Sequence, residues 1–111
     1  MTKQQYERLQ PFLHRKSARQ RIILYLFADG YTVPDLVKMT VPGLRALELP
    51  PVMTTYVDEM LEDRKNGAAF QYPNGLAIPH TGFYRLMRAA AKRAVGRPMS
   101  VQQFRAYMRA K

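Results

Sequence analysis

Cysteine is absent from this chain, and no acidic residue follows Asp63. Without cysteine there can be no disulfide, thiolate metal ligand or thiol nucleophile. Long apolar runs are lacking too, since the longest, Ile22 to Ala28, is far too short to cross a bilayer. The first ten residues contain no apolar signal core, so we expect a cytoplasmic protein with no membrane partner.

The composition predicts one folded domain. Hydrophobic residues make up 47% of the 111 residues, which favours a globule over disorder. A chain of this length can bury one modest core. We expect a single basic domain over 1–111, with an N-terminal helix or arm over 1–16 and a core over 17–111.

Positive charge is the strongest global feature of the chain. Eighteen Lys and Arg against eight Asp and Glu give a net charge of +10, and the stretch from Arg64 to Lys111 holds ten basic residues and no acid. A domain with so much charge of one sign attracts polyanions, because each phosphate contact releases condensed counterions. Double-stranded DNA is the expected partner. Structured RNA stays open, although the aromatic strands of common RNA-binding sheets are missing.

Helix signals cover most of the sequence. Apolar residues at helical spacing predict a helix over 2–13, interrupted at Pro11. Ser17, Thr32 and Ser100 each precede an apolar periodic segment and are predicted N-caps. Asp29-Gly30 is a stop signal for the helix that Ser17 begins.

Two more amphipathic helices are predicted, over 52–64 and 82–94. Thr81 or His80 would cap the second of them. Its apolar stripe faces inward, and the rest of its surface is basic. The basic positions are Arg85, Arg88, Lys92 and Arg93.

Two segments leave alternatives open. Gly43 to Leu49 alternates apolar and polar residues as a short strand does, yet Pro42 could equally open a helix. Two Asn-Gly pairs within 65–82 predict a loop or an irregular hairpin. The resulting fold class is mainly α, a compact single-domain helical bundle with room for at most a short two- or three-stranded β element.

No active site is predicted from residue types and spacing. His14 and His80 lack the spacing of metal ligands, and neither Ser17 nor Ser100 has a nearby histidine to serve as base. We therefore expect no catalytic residue, cofactor, metal or small-molecule substrate.

Three segments occur in an order that carries a family resemblance. They read "RIILYLFADGYTVPDLVKMTV", "GLRALELPPVMTTYVDEML" and "GLAIPHTGFYRLMRAAAKRAVGRPMSVQQFRAYMRA". Together they resemble a compressed catalytic domain of the tyrosine recombinase (phage integrase) family, over 17–111. In that family a long basic helix lies in the DNA major groove, and 82–94 matches it. The family's His-x-Leu-Arg-His motif matches "QQFRA", which keeps Arg105.

The catalytic set of that family is mostly replaced here. Its first arginine falls on Thr32, and its two histidines fall on Gln102 and Ala106. The hairpin lysine has no counterpart, and Tyr107 is not at the position of the nucleophilic tyrosine. Phosphoryl transfer needs several cationic groups around one phosphate and an in-line nucleophile. The resemblance therefore implies DNA binding without catalysis.

The leading hypothesis is a non-catalytic DNA-binding protein of a phage or another mobile element, acting as a regulator or accessory factor. The helix over 82–94 would enter the major groove. The predicted DNA contacts are Arg85, Arg88, Lys92 and Arg93 on that helix, Lys38 and Arg45 near the second helix, and Arg97, Arg105 and Arg109 on phosphates.

Two alternatives remain. Residues 32–39 and 41–47 can form a helix-turn-helix in which Arg45 lies on the recognition helix, as in a small transcription regulator. The chain could also be a protein-interaction module that binds a recombinase or another acidic partner. Apolar helix faces left uncovered in so small a domain would also allow a homodimer.

Overall fold

Seven α-helices surround one hydrophobic core in the computed structural model, which describes residues 1–110. The helices are α1 (Lys3–Leu13), α2 (Ala18–Asp29), α3 (Val33–Lys38), α4 (Val41–Arg45), α5 (Pro51–Leu61), α6 (His80–Val95) and α7 (Val101–Arg109). The radius of gyration is 13.3 Å, close to the value of about 13 Å expected for a compact domain of this length. The mainly α, single-globule fold is therefore confirmed.

Helix starts follow the predicted caps. The hydroxyls of Ser17, Thr32 and Ser100 each accept a hydrogen bond from the backbone N–H three residues later, and the side chain there accepts from the cap's own N–H. This reciprocal arrangement satisfies two backbone donors that no helical carbonyl reaches. Gly30 ends α2 with φ of +115°, a conformation in which a Cβ would be strained.

Two local predictions about helix ends are wrong. Pro11 does not interrupt α1, which runs on to Leu13, because a proline in the last turn of a helix removes only one late hydrogen bond. Neither His80 nor Thr81 caps α6. Pro79 holds the N-cap position without a side-chain bond, and its carbonyl accepts from the backbone N–H of Gly82 and Phe83.

The β element left open by the sequence does not form a sheet. The segment after Thr40 folds as α4, so the helical alternative opened by Pro42 is confirmed. Across residues 1–110 the only β pairings are two isolated antiparallel bridges, Thr40 with Ala68 and Gln71 with Ala77. The second bridge closes an irregular hairpin, as predicted for this loop.

The core is centred on α2, whose residues from Ile22 to Phe27 are all buried. Helices α1, α5 and α7 pack against it, and the ring of Phe12 in α1 lies 4.8 Å from that of Phe104 in α7. Phe83 of α6 packs edge-on against Phe70, at 5.9 Å between ring centroids. Apart from Tyr25, the buried residues within 1–110 are all non-polar. The contacts of Phe83 fix the orientation of α6, and therefore of its outer face, relative to the core.

Candidate nucleic-acid interface

The longest helix, the 16-residue α6, has one apolar and one cationic face. Phe83, Met87, Ala90 and Ala91 are buried on the inner side. The opposite side carries Arg85, Arg88, Lys92 and Arg93, all exposed; we call these four residues the α6 cationic face. Arg85, Arg88 and Lys92 follow the i, i+3, i+7 spacing, which places them in one row along the helix.

Local sequence explains why this face is stable as a helix. Alanines at 89, 90, 91 and 94 have the highest helix propensity. Lys92 and Arg93 lie in the last turn, where positive charge interacts favourably with the helix dipole. Gly96, at φ +82°, ends the helix, and exposed Arg97 follows it directly.

The arginines differ in what they contact. Six of the twelve donate hydrogen bonds to acceptors within the protein: Arg8, Arg19, Arg21, Arg45, Arg64 and Arg105. By contrast, the α6 cationic face makes no side-chain hydrogen bond or ion pair with any residue in 1–110, and neither does Arg97. Its charges are available to an external anion.

Arg45 is one of the six arginines that have acceptors within the protein. Its guanidinium is 3.2 Å from the carboxylate of Asp58, the single ion pair found within 1–110. It also donates to the carbonyls of Glu62, at 3.0 Å, and Arg64, at 3.4 Å. The side chain thereby fastens α4 to the end of α5. Arg45 is therefore not part of the α6 cationic face, and its guanidinium is engaged within the protein.

Arg105 is also occupied by internal acceptors. Its Nε donates to the carbonyl of Phe27 at 3.3 Å, and its Nη2 donates to that of Tyr31. Both acceptors lie in or just beyond the last turn of α2. The Phe27 carbonyl also accepts from the backbone N–H of Gly30 at 3.2 Å, so the guanidinium is a second donor to that carbonyl and joins α7 to α2.

Arg105 nevertheless borders a depression that joins positions predicted from the recombinase resemblance. Thr32, Gln102 and Arg105 all line one cavity of about 290 Å³, together with Tyr84 of α6 and Ser100. Thr32 comes from the α2–α3 connection, whereas Gln102 and Arg105 come from α7, and all three border the same depression. Here Thr32 is committed to its capping bond with the N–H of Asp35.

The other predicted contacts lie outside α6. Lys38 and Arg109 are exposed at the ends of α3 and α7. Lys38 and Arg105 act on Asp35, whose pKa is lowered mainly by the backbone hydrogen bond from Thr32 and to a lesser degree by these two positive charges. Lys111, which contributes to the basic C-terminal half, lies outside the described residues.

Two cations that the sequence analysis did not single out lie beside α6. Lys16 and Arg19, at the start of α2, line a cleft of about 320 Å³ together with Arg85. Lys16 thus shares a cleft with one residue of the α6 cationic face, and burial and the positive charge of Arg93 both lower the pKa of Lys16. The available signal was the basic run around the Ser17 cap, "HRKSARQR".

Other kinds of site find little support in the described part of the chain. No group of three or more His, Asp or Glu side chains that could hold a metal ion occurs in residues 1–110. None of the helices there is both long and apolar enough to span a membrane. Comparison with protein-family models, curated proteins and solved structures finds no significant match to this chain.

Proposed function

We propose that this protein binds double-stranded DNA without catalysis, by placing the α6 cationic face in the major groove. One observation carries the proposal: four exposed cations on one long helix have no protein partner among the described residues. A 16-residue helix is about 24 Å long, and the major groove is wide enough to admit one. Guanidinium groups there can donate to phosphates or to guanine edges.

A recombinase-like scaffold is the second part of the proposal. It is supported by the fact that Thr32, Gln102 and Arg105 line one depression, since the resemblance matches these three positions to catalytic residues. It also accounts for an exposed basic helix in the α6 position. On this scaffold the protein would serve a phage or another mobile element as a regulator or recombination accessory factor.

The groups around that depression support the proposed absence of catalysis. Thr32 and Gln102 carry no positive charge, and the guanidinium of Arg105 is held by the carbonyls of Phe27 and Tyr31. Tyr107 is half-buried, and its ring packs 5.7 Å from that of Phe12. It does not line the depression, which argues against a role as nucleophile there. A single engaged arginine cannot surround a transferring phosphoryl group.

A paired-variant experiment tests the proposed interface. Arg88→Gln with Lys92→Gln removes two charges from the α6 cationic face, and Lys3→Gln with Lys65→Gln removes two from exposed positions elsewhere. Binding to a fluorescent duplex is measured by anisotropy over a series of salt concentrations. The α6 pair should reduce the slope of log K against log salt by about 1.8, because each lost phosphate contact removes about 0.9. The control pair should leave the slope unchanged.

Two results would reject the interface. Equal losses in both pairs would mean that net charge alone sets affinity. No duplex binding at low salt, even by the unaltered protein, would leave the protein-interaction module as the better explanation.

The helix-turn-helix alternative predicts a different sensitive residue. Helices α3 and α4 are only six and five residues long, which is short for a recognition helix. Arg45 forms an ion pair with Asp58 instead of extending freely into solvent. Under the present proposal Arg45→Gln leaves any preference for a specific DNA sequence intact. Loss of that preference in Arg45→Gln, with the fold retained, would favour the alternative.

A further inference from the structure

The cleft beside α6 collects positive charge without a counterion. Lys16, Arg19 and Arg85 line it, and Arg93 is close enough to Lys16 to lower its pKa. Among the described residues no carboxylate lines the cleft. Like charges held together cost free energy that a bound anion would relieve.

Arg19, which lines the cleft, has one N–H group without an acceptor. Its Nη1 donates to the carbonyl of Gln71 at 3.0 Å, whereas its Nε is buried without an acceptor anywhere in residues 1–110. A buried donor without a partner is uncommon, because leaving it unpaired is unfavourable. The guanidinium is thus fixed by one bond, and another of its N–H groups still lacks an acceptor.

The rest of the cleft is apolar and partly aromatic. Ile78 and Leu86 form one wall, and the ring of Tyr72 forms another, with its centroid 6.0 Å from Cζ of Arg19. Gly82 permits this arrangement: a Cβ there would lie 2.8 Å from Cγ2 of Ile78 and would also meet the Tyr72 hydroxyl. At about 320 Å³, the cleft is within the size range of small-ligand sites.

We propose that this cleft binds one nucleoside phosphate. The phosphate is held by Lys16, Arg19 and Arg85, and the base packs on the Tyr72 ring and the apolar wall. Cations beside an aromatic surface form the usual combination for an unpaired nucleotide, because every base has a face that can stack. The source is an unpaired nucleotide of a DNA strand or a free mononucleotide. The first source rests on the proposed DNA-binding function.

Mononucleotide binding tests the site without any duplex. The unaltered protein is titrated calorimetrically with deoxyadenosine monophosphate, deoxyadenosine and inorganic phosphate. The monophosphate should bind at least about tenfold more tightly than either fragment, because only it uses both the cations and the apolar wall. Inorganic phosphate binding as tightly as the monophosphate would overturn the nucleotide assignment.

Variants locate the binding. Lys16→Ala, whose side chain makes no hydrogen bond within residues 1–110, should weaken monophosphate binding about tenfold. Ala89→Leu, which narrows the cleft without changing charge, should weaken it as well. Lys3→Ala is the matched control and should have no effect. Circular dichroism checks that each variant is folded, and undiminished binding by both cleft variants would refute the proposal.

Two duplexes separate the sources and the two proposals. One is blunt, and the other carries a single unpaired 5′-phosphorylated nucleotide. If the protein binds the duplex with the unpaired nucleotide more tightly than the blunt one, and Lys16→Ala abolishes this difference in affinity, the source is a DNA strand. If both duplexes bind equally while monophosphate binding is intact, the source is a free nucleotide. Monophosphate binding without any duplex binding would reject the proposed DNA-binding function and retain the cleft.

Discussion

Arg105 and Arg109 lie four residues apart on α7 but have different surroundings. Arg105 donates to two carbonyls at the end of α2, whereas Arg109 is exposed and makes no side-chain hydrogen bond within residues 1–110. Arg105→Ala should lower the free energy of unfolding by about 1–3 kcal/mol, because it removes the side-chain donor to the Tyr31 carbonyl and one of the two donors to the Phe27 carbonyl. Urea denaturation followed by circular dichroism measures this change.

Arg109→Ala provides the matched control for that measurement. It removes the same charge from the same helix and should alter stability by less than about 0.5 kcal/mol. If Arg105→Ala is as stable as the unaltered protein but loses affinity for DNA, Arg105 contacts phosphate as the sequence predicted. The internal hydrogen bonds would then not be its main role.

Sequence reasoning could not separate these two arginines. Both are basic positions on an amphipathic helix, and the acceptor carbonyl of Tyr31 is 74 positions away from Arg105 in the chain. The same limitation applies to Arg45, whose partner Asp58 belongs to another helix. Which guanidinium is occupied depends on packing between helices, and no local pattern encodes it.

At the scale of the helix, Gly82 in α6 allows a prediction that opposes helix propensity. Replacing a helical glycine with alanine normally stabilises by about 1 kcal/mol. Here the added Cβ would lie 2.8 Å from Cγ2 of buried Ile78 and would also meet the Tyr72 hydroxyl. Overpacking of this kind typically costs about 1–3 kcal/mol, so Gly82→Ala should be net destabilising in a thermal melt.

Thr81→Ala, at the exposed neighbouring position, is the control for Gly82→Ala and should change the melting temperature little. A higher melting temperature for Gly82→Ala would show that the hairpin carrying Tyr72 and Ile78 moves away easily. The walls of the proposed nucleotide cleft would then be poorly fixed.

Helix starts were predictable to the extent that they depend on neighbouring residues. Ser17, Thr32 and Ser100 cap helices through bonds that span three positions, so their roles are visible in the sequence. The start of α6 has no side-chain cap, and Pro79 holds that position. Its helix is stabilised instead by buried contacts such as Phe83 against Phe27 and Phe70, which are tertiary.

For the whole molecule, the net charge of +10 predicts a marked response to salt. Mutual repulsion among unpaired cations opposes the compact state, and raising salt from about 10 to about 300 mM shortens the screening length from about 30 Å to below 8 Å. We expect the melting temperature to rise by about 4 °C or more, measured by differential scanning fluorimetry.

The double variant Arg88→Gln/Lys92→Gln should show a smaller rise, since it removes two charges from the α6 cationic face. A melting temperature that stays constant or falls with salt would contradict the absence of internal partners for these cations. At this scale the salt response could be predicted from the sequence, because net charge and its distribution along the chain can be read without a structure. It did not reveal that Lys16 and Arg19, from the opposite half of the chain, add to the same surface.

The first and last helices depend on each other. Arg8 in α1 donates to the carbonyls of Tyr107 and Met108 in α7, and Phe12 packs on Phe104 beside it. During translation α1 emerges before α7. Helix α2 can already pack against α1, yet the Phe104 ring that contacts Phe12 is not available until α7 has left the ribosomal exit tunnel. Nascent chains should therefore expose part of the apolar face of α1 until α7 is made, which makes them candidates for chaperone engagement before folding can finish.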